Sequence, residues 1–559
     1  MDKDHLNILF GGAAGQGLVT VGQILSKSLV RGGYYIAVTQ SYQSRIRGGH
    51  NTFSIHVGVE EIISPKEQVD LLVAFDAETI DLDSEYLSPE GLILLDEEIN
   101  SQGNHLLKIP FKKLATERFM NIASFGVIGS ILGLDEDLMA ETLNHFFGKK
   151  DTTLVEENRN ALGSAFKWAT EHGTSDYKLS KVSNPINHLM MNGNEAIALG
   201  AISAGLRFGS FYPMTPSTSI MLNLAANAQK TGLIIEQAED EISAINMALG
   251  ASFAGVPSMV STSGGGFALM VEGVSLAAMT ETPIVIVVSQ RPGPATGLPT
   301  RTEQADLNLV LYAGHGEFPR AILCPGTVEE CFHLTRKAFE LAERFQGPVF
   351  ILTDQFLADT YRAVIPFDIE GLPPISVGGQ THVESSYMRY VITKSGISPR
   401  LVPGETKHLV IADSDEHTEE GHITEDLSIR KQMVEKRFRK GDGIRKEVIP
   451  PDIDGEKSPD ILLVSWGSTK GAVLEAASQM KNGENRVATL HFSQVWPIVH
   501  ENFLEIMENA KETICVEGNA TGQLAQIIRR ETGFAMKRKV LRYDGLPVTP
   551  GYILRELNM

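Results

Sequence analysis

Apolar residues in this chain fall in short unbroken runs, not in long stripes. LNILFGG (6–12), YYIAVTQ (34–40), NTFSIHVG (51–58), LLVAFD (71–76) and GLILLDE (91–97) follow one another through the first third. PIVIVVS (283–289), FILTD (350–354), ILLVSWG (461–467), RVATLHF (486–492) and TICVEGN (513–519) continue the pattern. Runs of this length, closed by glycine or a polar residue, predict strands covered on both faces by helices. The stretches between them predict those helices, such as Gly15–Val30 after the first run and IMLNLAANAQ (220–229) further on. The fold class expected is α/β, with three α/β domains.

Breaks in the pattern set the domain bounds. A polar stretch, EHGTSDYKLSKVSNP (171–185), separates a first domain, 1–178, from a second, 190–370. From 371 to 457 proline, glycine and charge dominate, including SDEHTEEGHITED (414–426) and KQMVEKRFRKGDG (431–443), and the segment reads as a connector or insertion without a core of its own. The last domain is 458–559. The 559 residues suit three or four domains at about 100–200 residues each.

Charge narrows the function. With 49 Lys and Arg against 69 Asp and Glu, the net charge of −20 disfavours binding to nucleic acid or to an anionic membrane. No run of about 18 apolar residues occurs, and the opening MDKDHLNILFGG lacks a basic leader segment, so neither a membrane span nor a signal peptide is expected. The three cysteines, at 324, 331 and 515, form no Cys-x-x-Cys pair and are too few for a four-iron cluster. A reducing cytoplasm is the expected compartment, and any electron-carrying metal is expected on another chain.

Candidate chemistry gathers in a few segments. Gly11-Gly12-Ala13-Ala14-Gly15-Gln16-Gly17 joins a strand to a helix, a backbone-amide nest open to three readings. It is a packing loop, a contact for a phosphate-bearing ligand such as coenzyme A, or a nucleotide loop. The spacing is not G-x-G-x-x-G, and the next strand ends in Gln40-Ser41 where a ribose-binding acid belongs, which counts against NAD. Ser41–His50 carries Arg45 and Arg47 beside paired glycines, either an anion clamp or a solvated loop. Tyr212-Pro213-Met214-Thr215-Pro216 predicts a helix start with Thr215 as N-cap and Pro216 at the first helical position. LIIEQ (233–237) leads into Glu241 at the head of a helix rich in alanine and glycine, where an acid suits the helix dipole. Gln290–Gln304 is a loop shaped by Gly and Pro, and its Arg291 and Arg301 suit either a carboxylate or structural ion pairs. The cluster Asp413, Asp415, Glu416, His417, Glu419, Glu420 and His422 reads as a solvated acidic loop, not a metal site. Glu517–Gln523 reads as inter-domain packing or, less so, a nucleotide contact.

Glu241 with Ala248-Leu249-Gly250-Ala251, the Tyr-Pro-Met-Thr-Pro turn, and Thr262-Ser263-Gly264-Gly265-Gly266-Phe267-Ala268-Leu269-Met270 together resemble the pyrimidine-binding domain of the 2-oxoacid:ferredoxin oxidoreductases. The N-terminal region resembles their gamma domain and the C-terminal region their transketolase-C-like domain. Tyr543-Asp544-Gly545 resembles the 2-oxoglutarate-type alpha subunit. By this resemblance Glu241 activates thiamine diphosphate and Thr215 donates a hydrogen bond to substrate. Arg301 is the first candidate for the substrate carboxylate, Arg291 the second, with Tyr212 beside them. Gly264, Gly265 and Phe267 contact the cofactor, with Gly12, Gly15 and Gly17 as a further cofactor or coenzyme A loop. Gly441-Asp442-Gly443 lacks the strand and the downstream asparagine of a pyrophosphate site, so the chain is expected to hold half of the cofactor site. The resemblance implies a beta subunit with the pyrophosphate domain, Mg²⁺ and a 4Fe-4S cluster, in a heterodimer or a dimer of heterodimers. The assembled enzyme would convert 2-oxoglutarate or a related 2-oxoacid, with coenzyme A, into acyl-CoA, CO₂ and reduced ferredoxin. Pyruvate or a branched 2-oxoacid, a non-catalytic nucleotide-binding subunit, and a stand-alone thiamine transferase are the alternatives.

Overall fold

The computed structural model describes residues 2–43, 49–102, 105–148, 152–183, 185–376, 386–481 and 486–559. The chain divides into two compact units, the first built on Met1–Asn192 with Asp359–Phe367 and Thr549–Gly551, the second holding the remainder.

The first unit opens with β1 (His5–Ala13), β2 (Tyr35–Ser41), β3 (His50–Gly58), β4 (Val69–Ala74), β5 (Leu87–Asp96), β6 (Leu106–Ile109) and β7 (Leu189–Met191). β1 to β5 fall on the five apolar runs read from the sequence. β1 pairs antiparallel with β3 and parallel with β4, and it is buried along nearly its whole length. Phe10, Phe53 and Phe125 fill the core between this sheet and the helices Leu18–Arg31 and Met120–Ile131. The first helix starts later than Gly15 because Gly15 and Gly17 adopt left-handed φ of 97° and 82°, which prolongs the turn before it.

In the second unit β8 (Phe208–Phe211), β9 (Ile234–Gln237), β10 (Ser258–Thr262), β11 (Ile284–Gln290), β12 (Ala321–Leu323) and β13 (Pro348–Asp354) run parallel. β14 (Tyr361–Val364) belongs to the first unit and completes its sheet in the order β6-β5-β4-β1-β3-β2-β14-β7. A third sheet, β15-β17-β16-β19-β20, comprises β15 (Asp452–Asp454), β16 (Ile461–Trp466), β17 (Val487–Phe492), β19 (Glu512–Glu517) and β20 (Arg538–Leu541). β18 (Gln494–Trp496) crosses back and closes the second sheet as β18-β12-β13-β11-β10-β8-β9. One core spans both sheets of this unit, with Phe267 and Phe350 meeting Trp466, Phe492 and Phe503. Among the described residues no helix is long and apolar enough to cross a membrane.

The charged connector differs from its sequence reading, because much of it packs inward. Helix Leu427–Lys446 buries Met433, Lys436, Arg437, Lys440 and Ile444, a spacing of three and four residues that makes one face. Lys436 Nζ lies 2.6 Å from Glu281 Oε1, Lys440 pairs with the same carboxylate, and Arg389 donates to the Glu281 carbonyl at 2.7 Å. These cations hold the Glu281 carboxyl well below its ordinary range against the opposing effect of burial, and burial draws Lys440 down to about 7. Gly441-Asp442-Gly443 sits inside this helix, where Gly443 lets the ring of Phe345 approach. In the acidic cluster Glu416 pairs with Arg430 at 2.6 Å and with Arg437 at 2.8 Å, and His417 is buried 4.0 Å, centroid to centroid, from the Tyr390 ring.

Removing the Glu281 charge leaves Lys436 and Lys440 without their common carboxylate, while Arg389 keeps its bond to the backbone carbonyl of residue 281. Glu281→Gln is expected to cost about 3 kcal/mol or more, seen as a lower urea midpoint with an unchanged slope.

Candidate active site

The motifs singled out in the second domain leave the same edge of one parallel sheet. β8 ends at the Tyr212–Pro216 turn, β9 at the Asp240–Glu241 helix start, β10 at Ser263-Gly264-Gly265-Gly266 and β11 at the Arg291–Gln304 loop. These strands are neighbours in the order β11-β10-β8-β9. The carboxyl edge of such a sheet is where α/β proteins hold their ligands.

Asp240 caps the helix Glu241–Phe253 by accepting from the Ser243 amide at 2.7 Å, so Glu241 becomes its first residue. Glu241 is 3% exposed, and its Oε1 has no hydrogen-bond partner among the described residues. Across from it starts the helix Gly264–Met279. A Cβ on Gly266 would come within 2.5 Å of Glu241 Oε1, so only glycine admits the carboxylate this close. Ser263, N-cap of that helix, leaves its hydroxyl buried and unpartnered. Gly265 is exposed, whereas the Phe267 ring lies in the core edge-on to Phe350 at 5.8 Å.

The turn after β8 departs from the expected cap. Both the Ser217 amide (3.0 Å) and the Ser217 hydroxyl (2.8 Å) donate to the Met214 carbonyl. That extra turn makes Ser217 the N-cap and delays the helix to Thr218–Thr231, so Thr215 and Pro216 precede it. Asn194 Nδ2 donates to the Pro216 carbonyl at 2.8 Å, and Arg291 Nη1 to the Thr215 carbonyl at 2.8 Å. Tyr212 is 40% exposed at the mouth of the turn.

Asp306, which sequence reasoning missed, closes this group. Its carboxylate rests over Gly264, where a Cβ would fall 2.6 Å from Asp306 Cγ. Burial pushes its pKa up to about 6, opposed by the charge of Arg291, and burial draws Arg291 down. The Asp306 amide donates to Gln290 Oε1 at 2.9 Å, and Gln290 Nε2 to the Thr353 carbonyl at 3.1 Å. Thr215, Arg291, Asp306, Gly264, Gly266 and Glu241 thus form a continuous chain of neighbours. Arg301 lies further along the same loop, with its stem 3.1 Å from the Cβ position of Gly545.

Glu517–Gln523 packs onto the far end of the loop, as its packing reading expects. Gly518 N donates to Gln304 Oε1 at 2.8 Å, Gln304 Nε2 to the Trp466 carbonyl at 2.9 Å, and Gln523 Nε2 to the Ala305 carbonyl at 2.7 Å. The buried Glu517 carboxylate accepts from Trp466 Nε1, Asn519 Nδ2, Cys515 Sγ and the amides of Leu524 and Ala525.

Gly12, Gly15 and Gly17 belong to the first unit. The Ala13 amide there is taken by Gln16 Oε1 at 2.7 Å and Asp76 Oδ2 at 3.0 Å, so a carboxylate already stands at that end of the nest. Gly17 borders the Asn121 side chain, and none of the described residues lies within 4 Å of a Cβ at Gly15. His50 Nε2 pairs with Asp83 Oδ2 at 2.8 Å, while Arg45 and Arg47 fall outside the described residues.

A family model described as pyruvate flavodoxin/ferredoxin oxidoreductase, thiamine diphosphate-binding, matches residues 199–436, and one described as pyruvate ferredoxin/flavodoxin oxidoreductase matches 7–168. The chain is 33% identical to a 2-oxoacid:ferredoxin oxidoreductase subunit alpha of Sulfolobus sp, over 97% of this chain and 95% of that one. It is 27% identical to a 2-oxoglutarate oxidoreductase subunit of Mycobacterium tuberculosis, over 94% and 87%. Its structure matches that of the 2-oxoglutarate:ferredoxin oxidoreductase from Magnetococcus marinus, solved with 2-oxoglutarate, coenzyme A and succinyl-CoA bound, with a TM-score of 0.94, 30% identity, and coverage of 100% of this chain and 99% of that one. Likeness of this extent, with a gamma-like domain ahead of a thiamine diphosphate-binding one, makes the chain an alpha subunit of the 2-oxoacid:ferredoxin oxidoreductase family.

Proposed function

We propose that this subunit supplies the pyrimidine side of a thiamine diphosphate site for the CoA-dependent oxidative decarboxylation of 2-oxoglutarate. The observation that carries the reading is the Glu241 carboxylate, buried with one oxygen unpartnered at the ligand edge of a parallel sheet. A buried acceptor of this kind is costly unless a donor completes it, and a protonated ring nitrogen of the cofactor fits that vacancy in chemistry. When bound, thiamine diphosphate supplies the electron sink for loss of CO₂.

The residues of this chain then divide the work. Glu241 holds a proton against the cofactor ring, and the close approach allowed by Gly266 sets its position. Thr215 presents its hydroxyl to the substrate from a turn braced by Arg291 and Asn194. Arg291 receives the substrate carboxylate first, because it touches the Thr215 turn; Arg301 follows at the outer end of the loop, with Tyr212 at the mouth. Gly264 and Gly265 offer backbone approach, and Phe267 supports them from the core. Gly12, Gly15 and Gly17 are assigned to coenzyme A, Gly15 having the open space. We assign 1–178 to the gamma-like domain, 190–370 to the pyrimidine domain, 371–457 to the connector and 458–559 to the transketolase-C-like domain.

A beta subunit brings the pyrophosphate domain, Mg²⁺ and the 4Fe-4S cluster, and passes electrons to ferredoxin in the cytoplasm, within a heterodimer or a dimer of heterodimers. Two features support such a partner. Leu222, Ile234, Ile242 and Leu269 expose apolar side chains on the elements that carry Glu241 and its neighbours. All three cysteines are buried with thiols pushed above their ordinary range, which suits a cluster held elsewhere. The choice of 2-oxoglutarate follows the Magnetococcus and Mycobacterium relatives, while the Sulfolobus relative, described by 2-oxoacid alone, supports a broader range.

The test is anaerobic purification with the native partner, followed by an assay of CoA-dependent methyl viologen reduction. Reduction with 2-oxoglutarate supports class and substrate together, and reduction with pyruvate or branched oxoacids alone replaces the substrate. Glu241→Gln should lower turnover by about two orders of magnitude or more with unchanged circular dichroism. Gly266→Ala, which pushes against the same carboxylate, should lower it by about tenfold or more in that assay.

A further inference from the structure

We propose that Asp306 is a positioning residue that sets how much of the Arg291 charge is available to an incoming 2-oxoacid carboxylate. The inference rests on the reading that Arg291 receives that carboxylate.

The placement of Asp306 is rigid. Its amide is held by Gln290, itself tied to β13, and its carboxylate lies over the first residue of a 16-residue helix that opens with three glycines. The N-cap serine of that helix makes no side-chain capping bond, and the Asp306 carboxylate lies at the positive end of the helix dipole. Arg291 reaches the Thr215 carbonyl with Nη1 and interacts with Asp306 through charge. Its remaining donors are suited to a bidentate carboxylate.

An ionised Asp306 neutralises part of the field that would draw a substrate anion, from the guanidinium and the helix end alike. A protonated Asp306 releases both. Two further acids lie near it. Glu303, three residues earlier on the loop, has its own pKa raised by burial and then by Asp306, and Glu241 stands on the far side of Gly266. Burial is the cause that raises the Asp306 carboxyl, and the charge of Arg291 opposes it. Burial has already brought the carboxyl to about 6, so the exchange falls within the working range of pH.

The sign follows directly. Substrate attraction is full below the Asp306 pKa and declines as pH rises through it, so the 2-oxoacid KM should increase from about pH 5.5 to pH 7.5 by up to about one order of magnitude. Asp306→Asn keeps the shape without the charge. The variant should bind 2-oxoglutarate at pH 7.5 as tightly as the wild type does at pH 5.5, with a flat KM profile and a much smaller change in kcat. Asp306→Ser serves as a second neutral replacement, and thermal denaturation of both reports folding. The measurements are KM and kcat for methyl viologen reduction by the purified complex, and calorimetric binding of 2-oxoglutarate to the same complex without coenzyme A. A pH-dependent KM that persists in both variants, or a higher KM in both, overturns the proposal while the function stands. No binding of 2-oxoglutarate to any form at any pH overturns the role of Arg291, and this proposal with it.

Discussion

A carboxylate removed from water must be answered by donors or cations, and three of the buried ones in the second unit are answered differently. Glu281 receives Lys436 and Lys440 on its carboxylate and Arg389 on its carbonyl. Glu517 receives five donors at the start of the helix Gln523–Thr532. Glu241 alone of these three keeps an oxygen with neither. The first two are structural solutions, in which the fold completes the acid from its own groups. The third is left open by the described residues, and the local architecture keeps that opening clear. Asp240 takes the capping role, which frees Glu241 from it, and Gly266 clears the space opposite.

Rigidity around Glu241 comes from a distance. The Glu517 network shapes the turn that carries Gly518 and Asn519, and that turn clamps Gln304 and Ala305 through paired hydrogen bonds. Gln290 and Asp306 clamp the inner end of the same loop. A segment rich in glycine and proline is thereby pinned at both ends, and its arginines extend from fixed points. Such support keeps the side chains of a loop within a narrow range of positions. The buried cations of the connector work in the same way on a larger scale, tying helix Leu427–Lys446 to Glu281 behind the helix Gly264–Met279.

Much of this was legible in the sequence, because strands buried on both faces announce themselves as short apolar runs and glycine marks where they end. β1 to β5, β11, β13, β16, β17 and β19 sit on runs read directly. The motifs lay in the right order, and their meeting at one sheet edge follows from strand adjacency, which linear sequence does not state. Local rules failed where a competing bond lay nearby. Thr215 looked like a cap, but Ser217 turns back onto Met214 and takes the place. The glycine nest looked open, but Asp76, sixty-three residues from Ala13, reaches its first amide. The connector looked solvated because charge was counted without its spacing; residues 433, 436, 440 and 444 make a buried face when read with helical period. Asp306 gave no local signal, since its neighbours Gly264 and Arg291 are remote or unremarkable until the loop folds.

The distribution of charge over the chain gains sense from the same principle. An excess of acid is a poor starting point for the proposed attraction of an anionic oxoacid, so that attraction has to be local. Arg291, the amides opening the glycine helix, and the absence of side chains on Gly264, Gly265 and Gly266 concentrate positive potential at one edge of one sheet. Asp306 moderates that potential from within. At such an edge the placement of a few buried charges counts for more than the net charge of the surface.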